Sequence, residues 1–140
     1  MDKLSSVVVD EFTTPSPVAV TPQTSLKQVA EIMDFHQIRH LPVTDNDQPV
    51  GIISDRDLKT IVNFNDLQAF TAADIMTDQP YTVSSDTSLE EVALTMSRKK
   101  IGSALILDTQ DNSLGIFTLT DALNALIEIL RGDQAANEQV

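Results

Sequence analysis

The sequence predicts an α/β protein made of two β-α-β-β-α repeats packed about a pseudo-twofold axis. The first observation is an internal repeat, because positions 12–45 and 75–108 share 11 identities in 34 aligned positions without a gap. The second is that the matches include Pro17 and Pro80, which lie outside the helical stretches. The third is size: a unit of about 60 residues buries little surface alone. We therefore expect the two copies to share a core.

Each copy begins with an extended segment and a helix. The extended segments are Val18–Val20 and Tyr81–Val83, each close to a proline that favours extended backbone. The helices open at Ser25 and Ser88, each followed three residues later by Gln or Glu, as in a capping box. Apolar residues then recur on one helical face in both copies.

Two β-rich runs and a closing helix complete each copy. The runs are Ile38–Thr44 and Val50–Ser54 in the first copy, and Ser103–Leu107 and Leu114–Thr118 in the second. Turn-forming residues, among them Asp45-Asn46-Asp47, join them. The closing helices are expected to begin near Asp57 and Asp121. The predicted organisation is an N-terminal segment 1–11, repeat 1 over 12–62, a linker 63–74, repeat 2 over 75–131 and a flexible tail 132–140.

Composition excludes several classes of function. Nine basic and 21 acidic residues give a formal charge of −12, so we expect neither a nucleic-acid partner nor an anionic membrane. The absence of cysteine excludes disulfides, thiolate metal sites and cysteine nucleophiles. No apolar run approaches the ~20 residues of a membrane-spanning helix, and the N-terminus does not read as an export signal. We expect a cytoplasmic protein.

Other motifs in the sequence do not predict a metal site or a catalytic site. His36 and His40 have a spacing seen in helical zinc sites, but Pro42 and the β-rich run argue against a helix there. The Asp45-Asn46-Asp47 run lacks the glycine and glutamate of a calcium loop, and so predicts a turn. No P-loop and no hydrolase triad is present. The sequence predicts no metal site, no catalytic residue and no enzyme.

The ordered motifs of both copies resemble a tandem CBS-domain pair (cystathionine β-synthase domain), also called a Bateman module. The motifs are Thr14–Val20, Thr24–Met33, Ile38–Val43 and Gly51–Leu58, and then Ile75–Thr77, Thr87–Met96, Ile101–Ile106 and Gly115–Asp121. The resemblance implies clefts between the repeats that bind an adenine nucleotide (AMP, ADP, ATP or a related adenosyl ligand). It also implies regulation of a separate effector protein whose identity is unknown.

A Gly-apolar-apolar-Ser/Thr-x-x-Asp motif lies where a strand passes into a helix in each copy. Free N–H groups at a helix start attract an anion, and the hydroxyl of Ser54 or Thr118 can donate to a phosphate or cap the helix. An ionised Asp57 or Asp121 accepts hydrogen bonds, which suits ribose hydroxyls, and the resemblance implies this role as well. The alternative is that these residues only cap their helices.

The basic residues near these motifs are unequal between the copies. Arg39, His40 and Arg56 would place three positive groups at the first site, where arginine fits phosphate oxygens. The alternative is that Arg39 and His40 are solvated at a strand edge. The second copy has Gly102, Ser103 and Thr120 at these positions, so we expect weaker phosphate contacts there. The run Arg98–Lys100 stabilises a helix C-terminus in the simplest interpretation; the alternative is that it reaches the cleft.

The remaining site candidates are apolar. The resemblance implies that residues of this kind hold the adenine ring, and the candidates are Pro17, Val18, Ile38, Pro42 and Ile53 in the first copy, and Tyr81, Ile101 and Phe117 in the second.

Apolar residues cover most of the circumference of the helix 121–131. A surface helix needs only one apolar stripe, so we expect a homodimer through the terminal helices, as the resemblance also implies. The alternative is that this helix is buried in its own chain beneath Leu4–Val9. The rival function is a structural dimerisation or docking module with vestigial clefts.

Overall fold

Two antiparallel hairpins form the centres of two sheets. The computed structural model describes residues 7–62 and 67–138. The strands are β1 Thr14–Pro15, β2 His40–Asp45, β3 Gln48–Ser54, β4 Thr77–Asp78, β5 Thr82–Ser84, β6 Ser103–Leu107 and β7 Leu114–Thr118. The strand order is β2-β3-β4 in one sheet and β1-β7-β6-β5 in the other. The α/β class and the repeated arrangement of strands and helices are confirmed.

Local signals position the helices. They are α1 Leu26–His36, α2 Asp55–Val62, α3 Ala72–Ile75, α4 Leu89–Lys99 and α5 Leu119–Glu138. The hydroxyl of Ser25 accepts the N–H of Gln28 at 3.2 Å, and that of Ser88 accepts the N–H of Glu91 at 3.1 Å. These caps satisfy amides that lack a partner within the helix and confirm both predicted helix starts.

The turn between β2 and β3 is a two-residue hairpin turn. Asn46 and Asp47 have φ values of 52° and 64°, and Asp45 pairs with Gln48. Two consecutive left-handed residues match the right-handed twist of the flanking strands. The predicted turn is confirmed.

The two repeats exchange short strands, which the sequence did not predict. β1 precedes the first repeat's helix but pairs antiparallel with β7 of the second repeat, and β4 pairs with β3 of the first. The expected opening segments lie further along the chain, where Val20 makes one parallel bridge to Val43 and β5 pairs parallel with β6. The exchange interlocks the repeats, because each sheet contains backbone from both halves of the chain.

Each repeat has its own apolar core, and a third small cluster joins them. Ile52 of the first repeat packs with Leu105 and Ile116 of the second, and all three are buried. The fully buried side chain of Val9 packs in the second repeat's core, so the predicted N-terminal segment contributes to repeat 2. Residues 1–6 of that segment lie outside the described residues.

The ends of several elements differ from the predictions. The closing helices begin at Asp55 and Leu119. The predicted linker 63–74 overlaps α3, at whose start the Thr71 N–H donates to Asp74 Oδ2 at 2.8 Å. The helix α5 continues to Glu138 through the region predicted as a tail. A single glycine at position 132 lowers helix propensity by only about 1 kcal/mol, and the alanine, glutamine and glutamate residues that follow it favour a helix. In the part of the chain that the structure describes, no helix has the length and apolarity to cross a membrane.

Candidate functional site

The Ser/Thr-x-x-Asp motifs form reciprocal caps at the two strand-to-helix junctions. The Ser54 N–H donates to Asp57 Oδ2 at 3.2 Å, and the Asp57 N–H donates to Ser54 Oγ at 3.1 Å. In the second repeat, the Thr118 N–H donates to Asp121 Oδ2 at 2.9 Å, and the return bond is 3.4 Å long. The capping function is therefore present, and it holds each carboxylate in one orientation.

The second carboxylate oxygen has a different environment in each repeat. Asp121 Oδ1 accepts a hydrogen bond of 3.1 Å from the hydroxyl of Thr14, which reaches it from the exchanged strand β1. The equivalent hydroxyl, that of Thr77 on β4, makes no such bond to Asp57 among residues 7–62 and 67–138. Asp57 therefore keeps an oxygen available for another donor, whereas a ligand at Asp121 has to share it with Thr14.

His40 lies at the beginning of β2, opposite Ser54 on β3. Burial of the half-buried ring lowers the pKa of His40 below its ordinary value of 6.5, whereas the carboxylates of Asp57 and Asp121 act to raise it. The negative charge of one capped aspartate from each repeat therefore acts on His40. We call Arg39, His40, Ser54, Arg56 and Asp57 the first-repeat site below.

The two arginines of the first-repeat site are exposed. The carbonyl of Arg39 accepts the Asp55 N–H at 2.8 Å, which holds the backbone at the junction between strand and helix. In the described part of the chain, the only ion pair is Lys59–Asp55. The guanidinium groups of Arg39 and Arg56 are thus not neutralised by a carboxylate in these regions.

A cleft of about 340 Å³ opens in the second repeat. We call it the second-repeat cleft, and it is lined by Ile52, Thr77, Gln79, Pro80, Tyr81, Lys99, Ile101, Gly102, Ser103 and Leu105. Its volume lies in the range of small-molecule sites, roughly 300–1,000 Å³. It combines apolar walls with hydroxyl, amide and ammonium groups, and so offers both a surface for a ring and donors for polar groups.

Four predicted site residues meet in this cleft, namely Tyr81, Ile101, Gly102 and Ser103. Three others, Pro42, Ile53 and Phe117, are fully buried, so their side chains present no surface to a ligand. Each lies within a run of three consecutive buried residues of β2, β3 or β7, so both faces of the strand are covered there. We correct the expectation that these three side chains line a cleft.

Five predicted residues lie elsewhere. Val18 and Ile38 are partly buried against the first core cluster, whereas Pro17 and Thr120 are exposed. Thr118 belongs to the cap already described. None of these residues lines the second-repeat cleft.

Sequence reasoning missed several lining residues. Thr77 and Gln79 reach the second-repeat cleft through the strand exchange, for which a two-residue strand carries no periodic signal. For Lys99, the structure favours the alternative interpretation that the run Arg98–Lys100 reaches the cleft. The left-handed residue Lys100 ends α4 directly after it, which leaves Lys99 at the cleft with its ammonium 5.8 Å from the centroid of the Tyr81 ring.

The helix α5 has one covered face and one open face. Ala122, Ala125 and Ile129 pack into the second core together with Val9 and Phe12. The adjoining face is exposed and apolar, and consists of Leu119, Leu123, Leu126, Ile127 and Leu130. A groove of about 390 Å³ lies between α4 and α5 beside it. Burial within the chain therefore accounts for only part of the apolar circumference.

The comparison with known proteins gives one consistent result. The sequence pattern of the CBS domain matches residues 8–63 and 72–128. The homoserine O-acetyltransferase of Methanocorpusculum labreanum is 30% identical over 131 residues, which make up 91% of this chain and 26% of that enzyme. The chain thus spans about a quarter of the length of this relative.

Two solved structures share the fold and carry ligands. CBSX2 from Arabidopsis thaliana in complex with AMP has a TM-score of 0.70 and 29% identity, covering 88% of this chain and 98% of the other. The domain pair of the protein MJ0100, in complex with 5′-methylthioadenosine and S-adenosyl-L-methionine, has a TM-score of 0.72 and 27% identity. It covers 86% of this chain and 99% of the other.

Proposed function

The chain belongs to the CBS-domain family, and from this premise we propose that it is a regulatory module that binds an adenosine-containing ligand between its repeats. The observation that carries the proposal is the second-repeat cleft, in which four residues predicted from sequence line a space of ligand size. The ligands of the two similar structures, AMP, 5′-methylthioadenosine and S-adenosyl-L-methionine, share the adenosine group, which supports that ligand class.

The residues suggest a division of roles. In the second-repeat cleft, Tyr81 and Ile101 offer an apolar surface for adenine, and the hydroxyl of Ser103 offers a donor or acceptor. Asp57 and Asp121 would accept hydrogen bonds from ribose, since an ionised carboxylate only accepts. Arg39, His40 and Arg56 would bind phosphate at the first-repeat site.

Regulation would operate through the packing of the repeats. A ligand that contacts both repeats favours the arrangement that it binds best and shifts the population toward it. The interlocked sheets would transmit such a shift between the repeats, because a displacement of β7 in the second repeat also displaces β1, which precedes the first repeat's helix. We propose that a separate effector protein reads this arrangement and that the chain performs no catalysis. The cytoplasmic location stays a prediction.

The exposed apolar face of α5 supports a homodimer as part of this function. It is contiguous with the groove between α4 and α5, and single-chain packing leaves it open to solvent in the described residues. A structural docking module with unused clefts is the second candidate function. The same exposed face favours it, and it predicts no ligand affinity.

Calorimetry with AMP tests the proposal. Replacing both aspartates (Asp57→Ala with Asp121→Ala) should weaken binding by roughly 10- to 100-fold, because each removed charge-assisted hydrogen bond is worth about 1.5–3 kcal/mol. Both aspartates also cap helices, so the matched control is Asp74→Ala. This removes an equivalent cap at α3, away from the two Ser/Thr-x-x-Asp junctions, and should leave the affinity unchanged.

The outcomes separate the candidates. Unchanged affinity in the double variant would refute the ribose assignment. Failure of the wild-type chain to bind any adenosine compound would favour the docking module.

A further inference from the structure

Lys99 is the one cation in the lining of the second-repeat cleft, and its ammonium lies over the Tyr81 ring at 5.8 Å. We propose that Lys99 makes this cleft selective for anionic adenosine ligands, those with a 5′-phosphate, over uncharged or cationic ones. The inference rests on the proposed function, which it deepens by assigning the ligand charge that one of the two sites prefers.

The electrostatics of the cleft support this assignment. Its lining contains Lys99 and no aspartate or glutamate. Within the regions that the structure describes, Lys99 forms no ion pair, so its charge is available to a ligand. The whole chain has a formal charge of −12, which repels anions at long range. A phosphate-bearing ligand therefore requires a local cation, and Lys99 provides it at this cleft.

Tyr81 positions the ammonium at the cleft. A lysine within about 6 Å of a tyrosine centroid is attracted by the negative face of the ring. This interaction keeps the flexible lysine near the wall against which we place the adenine. A bound 5′-phosphate would then form a charge-assisted hydrogen bond with the ammonium, which is roughly twice as strong as a neutral one.

The pair is specific to the second repeat. The internal repeat aligns Lys99 with His36 and Tyr81 with Val18, so the first repeat has no lysine at the first position and no ring at the second. His36 instead makes an edge-to-face contact with Phe35, with the ring centroids 5.0 Å apart. Lys99 would thus supply, at the cleft where the sequence predicts weaker phosphate contacts, the positive charge that Gly102, Ser103 and Thr120 lack.

The test uses three ligands that share adenosine and differ in charge. AMP carries about −1.5 to −2 charges near neutral pH, 5′-methylthioadenosine is uncharged, and S-adenosyl-L-methionine has a net positive charge. The readout is tyrosine fluorescence of the full chain, corrected for adenine absorption. Tyr81 is the only tyrosine and the chain has no tryptophan, so the signal reports on the second-repeat cleft.

Lys99→Gln is the test variant, and Lys100→Gln is its matched control. Both remove one positive charge. Lys100 is the next residue but lines the groove between α4 and α5, and glutamine already occupies the equivalent left-handed position at Gln37. We expect Lys99→Gln to weaken the binding of AMP by about tenfold. The affinity for 5′-methylthioadenosine should stay within about twofold of the wild-type value. Lys100→Gln should leave the affinities for both ligands unchanged.

Salt gives a second readout. Raising the ionic strength from 0.1 M to 1 M shortens the screening length from about 10 Å to about 3 Å. The higher ionic strength should therefore weaken the binding of AMP to the wild type, and much less its binding to Lys99→Gln. The inference is overturned if both variants weaken AMP equally, or if Lys99→Gln leaves the preference for AMP unchanged. If no ligand alters Tyr81 emission in the wild type, the proposed function itself fails at this cleft.

Discussion

In the function that we propose, each capped aspartate combines a structural task with ligand binding. In both repeats, a backbone N–H holds one carboxylate oxygen before any ligand arrives. An acceptor that is already oriented loses less entropy on binding than a free one. The difference between repeats lies in the other oxygen, which Thr14 contacts in Asp121. We therefore expect the ribose contact to be easier to form at Asp57.

The proposed phosphate contact of His40 predicts that ligand binding depends on pH. Burial lowers the pKa of His40 below 6.5, so the unfolded chain binds this proton more readily than the folded one. The stability of the free protein should therefore decline as the pH falls through about 6.5 and below. A phosphate next to His40 favours the imidazolium and should raise this pKa, so AMP affinity should increase over the same interval.

NMR titration of the His40 ring protons measures both effects. His40→Gln identifies the signal and serves as the calorimetric control, because AMP itself takes up a proton near pH 6. Only the difference between wild type and variant is assigned to His40. A His40 midpoint at or above 6.5 in the free protein would contradict the effect of burial. An unchanged midpoint with AMP bound would remove His40 from the phosphate site.

At the scale of elements, the exchanged strands explain the two motif glycines. A Cβ atom at Gly51 would overlap Met76 Sδ and lie 2.9 Å from Met76 Cγ, next to β4. A Cβ atom at Gly115 would overlap Thr13 Cγ2 and lie 3.1 Å from the Thr14 carbonyl oxygen on β1. Neither glycine has a positive φ. Close approach of the exchanged strand is therefore the reason for glycine at both positions.

Alanine substitutions test this account of the exchange. Gly115→Ala should destabilise the protein by about 1–3 kcal/mol, the usual cost of overpacking, because neither the β-branched side chain of Thr13 nor the Thr14 carbonyl can easily move aside. Gly51→Ala should cost less, since it meets the flexible end of Met76. Gly132→Ala is the control: nothing lies within 4 Å of its Cβ position, and alanine should stabilise α5 by roughly 0.5–1 kcal/mol.

Chemical denaturation provides the free energies of unfolding. Equal costs for Gly51→Ala and Gly115→Ala would show that backbone contact does not control the effect. A neutral Gly115→Ala would show that β1 is not held against β7.

At the scale of the whole molecule, the sequence predicted what local signals encode. The helix starts and the hairpin turn depend on Ser25, Ser88 and Asn46-Asp47, which act within a few residues of themselves. The strand exchange depends on contacts between distant segments, and neither two-residue strand has a pattern that reveals its partner. The same reason applies to Lys99, whose place at the cleft follows from tertiary packing.

The exposed face of α5 predicts the oligomeric state. Light scattering should give a particle of twice 15.3 kDa, because association removes the apolar side chains of this face from water. Leu123→Glu with Leu126→Glu should yield monomers. Phe35→Glu changes another exposed hydrophobic residue, 82% exposed on α1, and should remain dimeric. A monomeric wild type at high concentration, or a monomer caused by Phe35→Glu alone, would contradict this interface.

The most direct test of the central claim is thermal unfolding of the full chain with AMP, using uridine monophosphate as the control with the same phosphate and a different base. A ligand at 100 times its Kd adds about 2.7 kcal/mol of stability, which should raise Tm by several degrees in a protein of this size. We predict this rise with AMP and a much smaller one with uridine monophosphate. Equal shifts with both nucleotides, or no shift with AMP, 5′-methylthioadenosine and S-adenosyl-L-methionine, would contradict an adenosine-binding function.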